Sequence, residues 1–208
     1  MKFLVSAGPT RERIDPARFV SNRSSGKMGY ALAAAAAELG HEVVLVSGPT
    51  SLAAPAGVRV IQVESAAEMA GAMKAEAPAA AVVVAAAAVS DYRPVHPSAH
   101  KLKKTEGNLV IEFERTEDIL ASLGRQKRPG QVLCGFAAES DDLLANARKK
   151  LAAKNLDWIV ANDISVPGRG FAVDDNAATM LAADGRRFDF PLQSKSELAR
   201  RIVATLLG

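Results

Sequence analysis

Short, almost continuous apolar runs recur along the chain at residues 2–6, 42–47, 58–63, 81–87, 131–135 and 157–161. Runs of this length with little polar alternation suit strands covered on both faces, the condition of a parallel sheet. Between them, Ala- and Leu-rich stretches at 28–39, 66–77, 141–154 and 194–207 predict helices. Ser194 followed by Glu197 forms a capping-box pattern at the start of the last one. Strand–helix alternation of this kind predicts an α/β fold, a Rossmann-like open and mostly parallel sheet with helices on both faces.

Two segments break the rhythm. From 92 to 115 the chain passes prolines and turn residues, then Lys101, Lys103 and Lys104, then Glu106-Gly107-Asn108, and then alternates. Leu109, Ile111 and Phe113 would share one face of a strand, and Val110, Glu112 and Glu114 the other. This predicts a β-ribbon excursion turning at Gly107, whose apolar face must lie on the core or on the same ribbon of a second subunit. In an extended strand Lys101 and Lys103 lie on one face, roughly 7 Å apart, and Lys104 on the other. Lysines commonly protect exposed strand edges. Three like charges also repel, so the segment is expected to be mobile until it closes as a flap over a bound anion. A second hairpin is predicted where 177–182 and 186–190 flank Ala183-Asp184-Gly185. The Ala-rich stretches 31–37 and 79–88 read as tight packing, and no internal repeat is visible. The organisation expected is one domain over 1–208, with an inserted β excursion at about 92–115.

Composition narrows the function classes. Hydrophobic residues at 49% and charged residues at 24% exclude wholesale disorder. A net charge of +3 is too small to argue for a nucleic-acid partner, so any anion site must be local. The lone Cys134 excludes an intramolecular disulfide framework, and His41, His96 and His100 are a poor supply for a zinc enzyme. The longest apolar run, 79–89, has 11 residues, far short of the ~20 needed to span a bilayer. With no signal-peptide pattern at the start either, a cytoplasmic setting without membrane attachment is expected.

Candidate chemistry gathers at predicted strand ends. Ser6-Ala7-Gly8-Pro9-Thr10 follows the first strand, where open α/β sheets place ligands, although the dinucleotide glycine fingerprint is absent. Ser21-Asn22-Arg23-Ser24-Ser25-Gly26-Lys27-Met28-Gly29 precedes a helix and could bind an anion on exposed amides. A Ser-capped helix with a solvated basic turn fits the same residues. Asp91 in Ser90-Asp91-Tyr92-Arg93-Pro94 is either a ligand carboxylate or a turn anchor. Phe136 could lie against a flat ring or belong to the core. Lys150 and Lys154, at i and i+4, could share an anion or simply complement a helix C-terminus.

In their order and spacing, SAGPTRERIDPARFVSNRSSGKMGYALA, VSGPTSL, AAAVSDYRP, KLKK, GFAAE, ARKKLAAKNLDWIVAND and SKSELA resemble the phosphopantothenoylcysteine synthetases (phosphopantothenate–cysteine ligases) of the bacterial, CTP-dependent type. The resemblance runs from residue 4 to 198. It implies that Asn22 acts in forming an acyl-nucleotide intermediate and that Lys101 is the catalytic, nucleotide-contacting lysine. It implies nucleotide contacts for Gly8, Ser24, Ser25, Gly26, Ala87, Asp91, Phe136, Lys150 and Lys154, and for the loop Glu117-Asp118-Ile119-Leu120. There Thr116-Glu117 stands where the family pattern has Asn-Pro, which removes a proline's rigidity.

The implied reaction has two steps. The carboxylate of 4′-phosphopantothenate attacks the α-phosphorus of CTP, releasing pyrophosphate and giving an acyl cytidylate. The amino group of L-cysteine then attacks the acyl carbon and expels CMP. The resemblance further implies Mg²⁺ carried mainly on the CTP phosphates, a homodimer, and no flavin in this chain. In many bacteria the activity is the C-terminal half of a bifunctional flavoprotein, so a phosphopantothenoylcysteine decarboxylase domain is the implied fusion partner. Two rivals rest on less. A nicotinamide-dependent Rossmann reductase would need the glycine fingerprint and an acidic residue ending the second strand, where Val46-Ser47-Gly48 stands instead. An RNA- or nucleotide-binding module has only the lysines, with aromatic residues at 5%.

Overall fold

The computed structural model describes residues 1–104, 106–139, 142–163 and 174–208. In chain order the first half carries Lys2–Ala7 (β1), Arg11–Asp15 (β2), Arg18–Ser21 (β3), Lys27–Glu38 (α1), Glu42–Ser47 (β4), Val58–Gln62 (β5), Ala66–Glu76 (α2), Val82–Ala85 (β6) and Tyr92–Pro94 (β7). The second half carries Phe113–Arg115 (β8), Ile119–Arg125 (α3), Val132–Glu139 (β9), Leu143–Ala153 (α4), Trp158–Asp163 (β10), Asp175–Ala182 (β11), Arg187–Ser194 (β12) and Lys195–Leu207 (α5).

All six apolar runs become strands of one eight-stranded sheet ordered β12-β11-β10-β9-β6-β1-β4-β5. From β5 to β10 every pairing is parallel, while β11 and β12 add an antiparallel edge. Residues 183–185 make the hairpin turn between those last two strands, as their Asp-Gly pair predicts. Near-continuous apolarity is explained by helices on both sides. On one face α1 and α5 bury Leu32, Leu198 and Ile202 against Phe3, Val5 and Leu45. On the other, α2, α3 and α4 bury Met69, Met73, Leu123 and Leu151 against Leu4, Val44 and Leu133. Gly29 lets α1 approach the sheet, since a Cβ there would sit 2.5 Å from that of Ala7. The capping box closes as expected, with Ser194 Oγ accepting from the Glu197 amide at 3.2 Å.

The excursion differs from its sequence reading. Residues 106–108 do not turn a hairpin, and 101–104 and 109–112 form no strand. Instead β7 pairs antiparallel with β8, Tyr92 opposite Arg115, at the base of a long loop. Thr116 explains this: its amide donates to the Asp91 carbonyl and its hydroxyl to that of Ser90, drawing together the two ends of the excursion. Pairing is thus fixed at the base and not at Gly107. The sequence reading also missed the β2–β3 hairpin and α3. The hairpin is largely exposed and without apolar alternation along β3, and α3 has only seven residues. Among the described residues no helix is long and apolar enough to cross a membrane.

Candidate functional site

The chain leaves β1 toward β4 and β5 on one side, and returns through β6 to β9 and β10 on the other. Strand order therefore reverses between β1 and β6, and their carboxyl ends open the crevice where such sheets bind ligands. Two cavities occupy it, of about 490 and 390 Å³, and they share Ala87, Val89, Asp91 and Phe136.

Lining the larger cavity are Asp91, Tyr92, the Arg115–Leu120 segment, Phe136 and Lys154. The stretch Glu117-Asp118-Ile119-Leu120 is the start of α3, with Asp118 as its N-cap accepting from the Ala121 amide at 3.0 Å. Thr116-Glu117 is well anchored without the proline: Thr116 holds the backbone of 90 and 91, and Glu117 ion-pairs with Lys74 at 2.8 Å. Burial opposes charge on Asp118, but the Lys154 ammonium 2.9 Å away and the Ala121 amide outweigh it, holding the carboxyl below its ordinary range. Lys154 thus reaches the cavity already paired.

The smaller cavity begins at the start of α1. Gly26 caps that helix in the left-handed region at φ 79°, and no side chain caps it, so the first-turn amides of α1 open toward Ser24, Ser25 and the cavity. A Cβ on Gly26 would meet Thr50 Cγ2 at 2.7 Å, so glycine is demanded on two counts. Asn22, at the exit of the β2–β3 hairpin, donates from Nδ2 to the Ala88 carbonyl at 2.9 Å. Ser21 Oγ holds the Thr10 carbonyl at 2.7 Å, so both edges of the crevice fix the hairpin. One Nδ2 hydrogen and Oδ1 of Asn22 remain for other partners at the cavity mouth.

Asn22, Ser24, Ser25, Gly26, Ala87, Asp91, Glu117, Asp118, Ile119, Leu120, Phe136 and Lys154 are thus brought to the two joined cavities. Gly8 does not line them; with φ 76° it shapes the rim, its carbonyl accepting from the Ala88 amide at 2.9 Å. Lys150 is exposed on α4, outside both. Lys101 lies apart as well, in a basic groove with Arg18, Lys103 and Lys104. That segment is tethered: the Leu102 amide donates to Asp15 Oδ2 at 3.1 Å, and its carbonyl accepts from Arg18 Nη2 at 3.1 Å. Cys134 is fully enclosed in β9, and burial pushes its thiol up, away from reactivity.

The sequence reading missed Asn162, Asn176 and Lys195, which line the smaller cavity beside Lys27. One signal was available. Lys27 and Lys195 each stand at the first position of a helix, where the dipole disfavours a cation.

Fold and crevice together define the class, a Rossmann-like α/β domain with an anion-ready helix start at its topological switch point. Over residues 1–208 the chain matches the family described as DNA/pantothenate metabolism flavoprotein C-terminal domain, and it belongs to that family. It is 49% identical over 201 residues to the coenzyme A biosynthesis bifunctional protein CoaBC of Bacillus subtilis, covering 96% of this chain and 49% of that protein. Its identity to the CoaBC of Vibrio cholerae is 47% over 204 residues, covering 97% and 51%. The chain therefore spans about half the length of the curated relatives it matches. A crystal structure of the C-terminal domain of a CoaBC protein superposes with a TM-score of 0.84 at 46% identity, covering 99% of this chain and 93% of that one.

Proposed function

We propose that this chain is a phosphopantothenate–cysteine ligase, joining 4′-phosphopantothenate to L-cysteine through an acyl-cytidylate intermediate formed from CTP. The observation that carries this reading is the pair of cavities joined through Asp91 and Phe136, with Asn22 and the uncapped α1 start on one side of the junction. A nucleoside fits the larger cavity, with Phe136 against its ring and Asp91 near the ribose or base. Its phosphates then reach the α1 amides. Asn22, anchored by Ala88, donates its remaining hydrogen to the acyl or phosphoryl oxygen where charge develops. As a neutral donor it stabilises without trapping the intermediate in an ion pair. Lys101 acts by closure of its segment over the crevice, sheltering the acyl phosphate from water. The relatives named for coenzyme A biosynthesis support the pathway, and the length of those relatives supports a decarboxylase fusion partner.

The donor set suits a metal carried by the nucleotide. Asp91 is the carboxylate common to both cavities. It would be the protein group to join substrate phosphates in holding Mg²⁺, which would offset polyphosphate charge there. The reductase alternative gains no support from the crevice, whose first turn has no glycine fingerprint.

The test is a single assay with omissions. Pyrophosphate should form from CTP only when 4′-phosphopantothenate is present, and CMP should appear only when cysteine is added. CMP release at an equal rate without any amine nucleophile would contradict the two-step reading.

A further inference from the structure

Behind the two cavities, a chain of hydroxyls joins the segments that carry Asn22, Asp91 and Glu117. Asn22 follows the β2–β3 hairpin, Asp91 precedes β7, and Glu117 leads into α3. Ser21 Oγ donates to the Thr10 carbonyl at 2.7 Å. Thr10 Oγ1 donates to Ser90 Oγ at 3.2 Å and accepts from the Ser90 amide at 3.0 Å. The Ser90 carbonyl accepts from Thr116 Oγ1 at 2.5 Å, and the Asp91 carbonyl from the Thr116 amide at 2.9 Å. Thr10 is 0% exposed and Ser90 7%, and neither lines a cavity. None of the assigned roles uses this buried pair.

Packing alone does not call for two hydroxyls at this place. A hydroxyl taken from water needs hydrogen-bond partners, and valine fills the volume of threonine without that need. Thr10 commits every polar group it has to the rim of the crevice. Besides its hydroxyl and carbonyl, its amide donates to the Ala88 carbonyl at 3.3 Å. That same carbonyl holds Asn22 Nδ2 at 2.9 Å. Asn22 is thus tied to Thr10 twice, through its neighbour Ser21 and through a shared acceptor. Ser90 in turn is tied, with Asp91, to Thr116. The Thr10–Ser90 contact joins these two sides, and its two hydrogen bonds fix orientation as well as distance.

We propose that Thr10 and Ser90 are positioning residues, a buried hydroxyl clasp that sets the Asn22 carboxamide relative to Asp91 where the cavities join. The inference rests on the ligase reading for what Asn22 does, and on the hydrogen bonds alone for what holds it. A donor aimed at developing charge works only within a narrow range of positions. A misplacement of ~1 Å caused from outside the reacting centre can cost about a hundredfold in rate. Nucleotide binding is spread over many contacts and responds less to the same shift. The clasp therefore acts on turnover and not on nucleotide affinity.

Thr10→Val, Thr10→Ser and Ser90→Ala test this, in the wild-type chain and in an Asn22→Ala background. In Thr10→Val, kcat for pyrophosphate release should fall about tenfold or more, with KM for CTP within about twofold of wild type. Thr10→Ser keeps the hydroxyl and should recover most of that loss. In the Asn22→Ala background, adding Thr10→Val should lower the single-turnover rate by less than about twofold, because the group being positioned is gone. A wild-type kcat in Thr10→Val, a loss confined to KM, or an equal loss in both backgrounds overturns the clasp. If Thr10→Val does not fold, Ser90→Ala, which leaves the Ser90 amide on Thr10, is judged by the same criteria. If the wild type releases no pyrophosphate, the ligase reading fails, and NMR of the side-chain amides decides the clasp by itself. The Asn22 carboxamide signal, identified by its loss in Asn22→Ala, should move in Thr10→Val. That of Asn155, held by the Gly124 carbonyl at 2.8 Å, should stay. An Asn22 signal that does not move overturns the clasp.

Discussion

Under the ligase reading we propose, Asn22 acts where charge develops on the acyl or phosphoryl oxygen, and its anchoring makes a sharp expectation. Its Nδ2 is committed to the Ala88 carbonyl at 2.9 Å. Asn22→Asp loses that bond and sets an anion facing the nucleotide phosphates. At ~4 Å and an effective dielectric of ~20 the repulsion is about 4 kcal/mol, or roughly three orders of magnitude in rate. Pyrophosphate release should fall by about that factor while the unfolding midpoint moves little, because Asn22 is exposed. Lys101→Gln should instead slow turnover with the fold intact, most visibly in use of the intermediate. Near-normal turnover in either variant removes that residue from the mechanism. At this scale much of the site was legible in the sequence, because SNRSSGKMG and SDYRP each gather their polar side chains within a few residues at a strand or helix end. Lys195 was not, because its significance lies in what faces it. Only tertiary packing brings the start of α5 to the cavity that begins at α1.

At the scale of elements, the strands and long helices follow directly from apolar runs and caps, since burial on both faces leaves a parallel strand no polar alternation. The β2–β3 hairpin and the lysine segment escape that logic, because a buried carboxylate, not an apolar face, organises them. Asp15 is 1% exposed and accepts from the Ala17 and Arg18 amides, the Arg18 guanidinium and the Leu102 amide. The Arg18 guanidinium, opposed by burial and joined by those amides, holds its carboxyl well below the ordinary value. A depressed folded-state value means the stabilisation is complete above the ordinary 3.8 and is lost as pH falls below it. Asp15→Asn should therefore lower the unfolding midpoint at pH 7 and remove this part of the acid sensitivity. It should also release Leu102, so that trypsin cuts at Lys101, Lys103 or Lys104 faster than in wild type. An unchanged cleavage rate would show that Asp15 does not hold the segment in place. In wild type, CTP should slow cleavage at Lys103 if the segment closes over nucleotide.

At the scale of the molecule, the two small sheets present the surface the main core does not absorb. Strand β2 packs against β7, and from this corner Phe19, Val20, Tyr92, Leu109, Val110 and Phe113 are exposed, Val110 at 87% and Leu109 at 57%. Two-stranded ribbons are marginal in water without cover, and an apolar cluster of this kind marks an association surface. The Arg93–Glu114 ion pair across β7 and β8 stiffens the ribbon without hiding that face, since both side chains are themselves half-exposed. A second copy of the chain is the occupant we propose, because a twofold axis would set each ribbon's apolar face against its equivalent with no further component. Light scattering at micromolar concentration should then give twice the 21.8 kDa chain mass. Val110→Glu with Phe113→Glu should shift it to a single chain by bringing four carboxylates together across the axis, without disturbing the buried sheet. The lysine segment adjoins this ribbon, so the monomeric variant should also lose ligation more than CTP binding. A monomer in the wild type would refute the assembly while leaving both cavities, which are built within one chain, intact.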